Sequence, residues 1–175
     1  MCESVINITK DYDEYLKDES RKTGKADSIS FPRTEEEIVN IVKYLWQEKT
    51  KITVQGARTG IVAGAVPKEG HVLNLEKMNR ITGLEYQSGS DSFILYVQPG
   101  VILTDVHKEV AGKDFDTSGW SRKSLEALEK LKASECFFFP PDPTETTASI
   151  GGMTACNASG ARSFYYGPIR NYVES

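Results

Sequence analysis

Two stretches in which Gly, Ala, Ser and Thr crowd beside apolar runs constrain this chain more than any other feature: Gln55 to Pro67, and Pro140 to Gly160. Small side chains let main chain approach a ligand or another backbone closely, and free N–H groups with neighbouring hydroxyls suit a phosphate. Two such surfaces, far apart in sequence, predict one long cofactor clamped between two lobes.

The bulk numbers narrow the classes. At 175 residues the chain fits one domain or two small lobes. A formal charge of −4, with no basic face to offset it, argues against a nucleic-acid partner. Cys2, Cys136 and Cys156 are widely spaced and form no C-x-x-C pair, which argues against a disulfide framework, an iron–sulfur cluster or structural zinc; no metal is expected. The longest apolar run, Cys136 to Pro141, is too short to span a bilayer, and no targeting segment is visible, so a cytoplasmic protein without a membrane span is expected.

Along the chain, residues 8–20 suggest a weak amphipathic helix. Thr34 and Glu37 stand at capping-box positions, and Ile38, Ile41, Val42, Leu45 and Trp46 recur at helical spacing, predicting a helix over 34–48. Lys51 to Gln55 reads as a strand running into the first glycine-rich loop, and His71 to Leu75 as another. Residues 81–86 and 93–97 read as a hairpin across Ser88–Ser92, ended by Pro99 and Gly100. Thr104 is expected to cap a short helix, 113–122 to form a loop, and Leu125, Leu128 and Leu131 to mark a helix that is an exposed insertion. The implied organisation is an N-terminal extension (1–30), a first α/β lobe (31–80) and a second α+β lobe (81–175).

Gly56, Gly60 and Gly64 recur every four residues, yet neither a P-loop nor a G-x-G-x-x-G turn is present, because both need a helix next and Pro67 and Gly70 leave little room for one. Spacing leaves two readings open, an anion cradle with Thr59 adding a hydroxyl, or a flexible surface loop. In the second stretch Ser149 can cap a helix opening with Ile150, Gly151 and Gly152, whose unsatisfied N–H groups would favour a pyrophosphate. The competing reading is tight packing against the first lobe. Arg58 and Arg162 are the cations expected to meet phosphate. His71 and His107 are lone and read as surface or internally satisfied groups, and Tyr165 and Tyr166 as core or interface aromatics. No catalytic triad can be assembled.

In order, the helix begun at Pro32, Gly56–Gly60 with its Thr59-Gly60 pair, Val97-Gln98-Pro99-Gly100, Pro141-Asp142-Pro143, Ser149–Gly152 and Asn157–Gly160 resemble the PCMH-type FAD-binding domain of the vanillyl-alcohol oxidase / p-cresol methylhydroxylase superfamily. Within it, the branch of glycolate oxidase and D-lactate dehydrogenase is the most similar, and the resemblance covers about Phe31 to Val173.

That resemblance implies an α+β fold of a small α/β lobe and a larger α+β lobe holding FAD. Carried over by motif, Val54, Gln55, Gly56, Ala57, Arg58, Thr59 and Gly60 would wrap the pyrophosphate, with Gly64 and Ala65 completing the loop. Pro141, Asp142, Thr146, Thr147, Ala148 and Ser149 would line the flavin and ribityl chain. Gly151, Gly152, Cys156, Asn157, Ala158, Ser159 and Gly160 would hold the cofactor from the other side, with Pro99 and Gly100 nearby. Relatives that attach flavin covalently carry His where Thr59 stands, so the resemblance implies non-covalent FAD. Arg58, Ala65 and Met153 depart from the residues common in the family.

The implied function is the FAD-binding portion of an oxidoreductase turning a 2-hydroxy acid of the glycolate or D-lactate type into a 2-oxo acid, with reoxidation by an electron carrier or oxygen. Relatives continue into a cap domain that carries substrate and acid–base residues. The chain is therefore expected to be C-terminally incomplete, stopping where a strand begins near Tyr172, with catalytic residues lying beyond Ser175. The alternatives are an alkylglycerone-phosphate synthase-like transferase and a non-catalytic module of the same fold.

Overall fold

Polar caps and buried stripes of apolar residues build two compact units, Met1–Met78 and Asn79–Ser175, in a computed structural model that describes residues 4–135 and 137–174. Cys2 and Cys136 lie outside the described residues; Cys156 is a free, exposed thiol.

The first unit is organised by a four-stranded sheet with order β1-β2-β4-β3, formed by β1 (Ile6–Asn7), β2 (Ser28–Ser30), β3 (Ile52–Gln55) and β4 (His71–Asn74). β4 runs parallel to both neighbours, pairing Ser28 with His71 and Gln55 with Asn74, while β1 is antiparallel to β2. Helix α1 (Glu35–Gln47) begins where the capping signals put it. Thr34 Oγ1 accepts from Glu37 N, and Glu37 Oε2 accepts from Arg33 N. Three Glu in its first turn face the positive end of the helix dipole. Ile41 and Leu45 are buried against Leu73, but Trp46 is 81% exposed, because the periodic stripe is wider than the face the sheet can cover.

Contrary to the sequence expectation of an N-terminal extension, residues 4–30 belong to the first unit: β1 and β2 supply two strands of its sheet, and all three residues of β2 are buried. Residues Lys10–Leu16 form a 3-10 helix rather than an amphipathic α-helix, and none of them is buried. Short strands such as Ser28-Ile29-Ser30 have no hydrophobic alternation to announce them. Ser28 and Ser30 can be buried because both hydroxyls meet His71.

In the second unit, β5 (Ile81–Gln87) and β6 (Ser92–Val97) form an antiparallel hairpin with an irregularity between Ile81 and Gly83. Helix α2 (Leu103–Gly112) starts earlier than expected. Its cap residue is Ile102, with no side-chain cap, and Thr104 lies inside the first turn. Helix α3 (Arg122–Ala133) is likewise not an exposed insertion. Ser121 caps it, and Ala127, Leu128 and Leu131 are buried in one core with Ile81, Leu84, Val106 and Trp120. The three leucines misled because spacing of three drifts round a helix of 3.6 residues per turn; Leu125 ends up 43% exposed while Ser124 and Ala127 take the inner face.

A second core in this unit joins Leu103, Ala148, Met153 and Ile169. It anchors α4 (Ile150–Cys156), which is followed by α5 (Ser163–Tyr166) and a 3-10 turn over Ile169–Tyr172 where a strand start was expected. Tyr165 is 83% exposed and so is no core aromatic, whereas Tyr166 is half-buried, edge-on to Phe138.

Candidate cofactor site

In the first unit the glycine-rich loop leaves β3 at Gly56 and contains no helix before β4 begins at His71. Its two ends are tied down by a buried amide pair. Gln55, 1% exposed, donates through Nε2 to Tyr15 O at 2.8 Å and to Ala65 O at 2.6 Å. Asn74, fully buried, donates through Nδ2 to Gln55 Oε1 and to Gly56 O, and its Oδ1 accepts from Glu76 N at 2.9 Å. Gln55 is thus a strut inside the protein, and its side chain is not on offer to a ligand.

The stretch between those ties is the part left open. Among the described residues, the main-chain N–H groups of Thr59, Gly60, Ile61 and Val62 meet no acceptor within the protein. A Cβ placed on Gly60 or Gly64 would touch nothing within 4 Å, so the protein's own packing does not require glycine at either position. Ile61 and Val62 are 78% and 79% exposed. A row of free donors beside glycines that keep space clear is what a diphosphate needs.

Arg58 behaves otherwise than expected. Its side chain is 17% exposed, its guanidinium carbon lies 4.3 Å from the Tyr15 ring centroid, and its terminal nitrogens face Glu14 and Glu76, each at 3.7 Å. At that separation these are ion pairs without hydrogen bonds, and Nη1 is buried with no hydrogen-bond partner. Tyr15 Oη donates to Glu76 Oε1 at 3.1 Å, and burial followed by the Glu76 carboxylate pushes the Tyr15 phenol up to about 12. A groove of about 690 Å³, lined by Lys22, Lys25, Lys68, Val62 and Val66 among others, flanks the far end of the loop.

In the second unit three separate pieces of chain converge. Ile102 bridges Ser149, and Pro143 bridges Gly160. Gly151 packs so closely that an added Cβ would lie 2.7 Å from Pro99 Cβ, and at Gly160 it would lie within van der Waals overlap of Asp142 O. Pro99, Ala148, Ser149 and Gly151 thus meet at the start of α4, and Asp142 and Gly160 meet beyond its end. Ser149 caps α4 as expected, accepting from Gly152 N at 3.3 Å.

The free donors expected at that helix start are not free. Ile150 N donates to Val101 O at 2.8 Å and Gly151 N to Pro99 O at 2.9 Å. These two glycines thus have different reasons to be small. Gly151 makes room for Pro99 of its own unit, while at Gly152 only the capping hydroxyl, at 3.0 Å, would meet a Cβ. Met153 is buried in the unit's second core. Arg162 is paired with Asp142, Nε to Oδ2, at 3.2 Å. Thr146, Cys156 and Ser159 are exposed; Thr147 bonds Glu145; Asn157, with a positive φ of 48°, ends α4 and accepts from Arg170 N.

Comparison with known proteins names this architecture. The sequence profile described as "FAD binding domain" matches residues 26–118, more than half of the chain. The chain belongs to the FAD-binding domain family. Similar relatives are a D-lactate dehydrogenase of Anaerostipes hadrus, 32% identical over 93% of this chain and 30% of its own length, and one of Archaeoglobus fulgidus, 34% identical over 82% and 27%. This FAD-binding domain thus spans less than a third of those relatives. Among solved structures, an alkyldihydroxyacetonephosphate synthase matches with a TM-score of 0.66 over 98% of this chain and 29% of that one; at 16% identity this shows the PCMH-type fold alone. FAD is the cofactor of the family, and the open N–H row of the first loop with its two clear glycines fits a bound diphosphate. No helix among the described residues is long and apolar enough to cross a membrane, and no cluster of possible metal ligands occurs among them.

Proposed function

We propose that this chain is the FAD-holding part of an enzyme that oxidises a 2-hydroxy acid of the D-lactate or glycolate type to the 2-oxo acid. The observation that carries the reading is the row of unpartnered N–H groups from Thr59 to Val62 beside Gly60 and Gly64, in a chain similar to D-lactate dehydrogenases. These donors bind the pyrophosphate without side-chain charge, as main-chain nests do. Gln55 and Asn74 hold the loop rigid from beneath. From the second unit, Pro99, Gly100, Pro141, Asp142, Thr146, Thr147, Ala148, Ser149, Gly151, Gly152 and Cys156 to Gly160 are the proposed further contacts, with Ser159 and Thr146 offering exposed hydroxyls. Thr59 has no imidazole to link to the ring, so the flavin is held non-covalently. When bound, FAD supplies a two-electron acceptor for the substrate's hydride, the protein's task being to place and tune it.

Titration of the purified 175-residue chain with FAD, followed by quenching of flavin fluorescence, is the test. Saturable uptake that is lost in Gly60→Val supports the reading, and a chain that takes up no FAD removes it. The substrate class is tested on a longer protein carrying this domain, by dye reduction with D-lactate or glycolate; failure with both, while FAD stays bound, discards the hydroxy-acid assignment.

A further inference from the structure

Arg58 occupies a left-handed backbone conformation, φ 61°, which is uncommon for a residue bearing a Cβ. Its surroundings are unusually complete. The ring of Tyr15 lies under the guanidinium, Glu76 and Glu14 face its terminal nitrogens, and its carbonyl accepts from Glu19 N at 3.3 Å. Glu76 is itself fixed at both ends, its backbone N–H on Asn74 Oδ1 and its carboxylate on Tyr15 Oη. Tyr15 closes the ring through its carbonyl, which takes one of the two Gln55 Nε2 hydrogens. The charge of Arg58 is thus spent inward, on two carboxylates and an aromatic face, rather than held ready for an outside anion.

We propose that Tyr15 and Glu76 are positioning residues for the cofactor loop. They lock Arg58, and through Arg58 they hold Thr59 to Val62 in the shape that presents their N–H groups. The proposal deepens the FAD reading and rests on it for its functional consequence, but the clasp itself can be tested without cofactor. It distinguishes Arg58 from a phosphate ligand: the side chain acts on the loop it belongs to, and the main chain beyond it acts on the ligand.

Glu76→Gln keeps a hydrogen-bond acceptor for Tyr15 while removing the charge that faces Arg58; Tyr15→Phe keeps the ring and removes the hydroxyl. Limited trypsin digestion of the 175-residue chain reads the clasp directly, because cleavage of the Arg58–Thr59 bond requires the arginine to leave its seat. Cleavage there is expected to be several-fold faster in both variants, with melting followed by circular dichroism unchanged. FAD affinity is expected to fall about tenfold in each. In an Arg58→Gly background, where no side chain remains to be held and glycine accepts the left-handed conformation, Glu76→Gln is expected to have no further effect on FAD affinity. Wild-type cleavage at Arg58 in Glu76→Gln overturns the proposal, and so does an equal loss of FAD affinity with and without Arg58. If the unaltered chain binds no FAD, the functional reading fails, and the trypsin comparison still decides whether the clasp exists.

Discussion

His71 has no exposed surface and sits between two hydroxyls, Ser28 Oγ on Nδ1 and Ser30 Oγ on Nε2, each at 2.8 Å. Burial lowers its pKa from 6.5 to about 4, so the folded protein holds it neutral where an unfolded chain would already take a proton. Its contribution is complete above pH 6.5 and is lost as pH falls from there towards 4, by about 3 kcal/mol at most. Urea midpoints measured at about pH 7.5, 5.5 and 4.5 should decline less steeply in His71→Gln than in the unaltered chain; parallel declines contradict the assignment. The sequence allows for a satisfied histidine here, but its partners lie on another strand and only register brings them together. Glycines divide at the same scale. Gly60→Ala meets empty space and should leave the melting temperature in place while weakening FAD uptake, whereas Gly160→Ala drives a methyl into Asp142 O and should lower the melting temperature. Equal thermal loss in the two variants would show that the space at Gly60 is not clear.

Among elements, α1 is the one whose whole start is written locally. Thr34→Ala removes the hydroxyl that accepts from Glu37 N and should cost about 1 kcal/mol, read as a shift of the denaturant midpoint at constant slope. α3 is the contrary case. Leu128, 4% exposed, lies in the core against β5, so Leu128→Ala should cost about 2–5 kcal/mol, while Leu125→Ala on the outer face should stay within about 0.5 kcal/mol. Similar small effects at both positions would restore α3 as a peripheral insertion. Sequence could find this helix from Leu125, Leu128 and Leu131, but not its burial. That depends on Ile81, Leu84 and Trp120 arriving from other segments, with Trp120 Nε1 donating to Ile81 O. β1 and β2 are illegible for a related reason: strands of two and three residues carry too little pattern to read, and only the fold pairs β2 with β4 and β1 with β2.

At the scale of the molecule, the units have separate cores, and the cofactor contacts proposed for each are separately testable. Saturating FAD at about a hundred times its dissociation constant should stabilise what it binds by about 2.7 kcal/mol. Hydrogen exchange should then show added protection in both 56–65 and 148–160. Protection confined to 56–65 would leave the second unit's assignments without support. Local rules in the chain alone were enough for the capped helix after Thr34, the glycine loop with no helix behind it, the hairpin across Ser88–Ser92 and the Ser149 cap, since each depends on neighbours within a few residues. Tertiary structure decided which donors stay free. It closed the N–H groups at the start of α4 onto Pro99 and Val101, left those of Thr59 to Val62 open, and turned Arg58 inward onto Tyr15 and Glu76. A hydrogen bond to a distant carbonyl leaves no trace in composition or spacing, so only the folded chain shows where main chain remains available to a ligand.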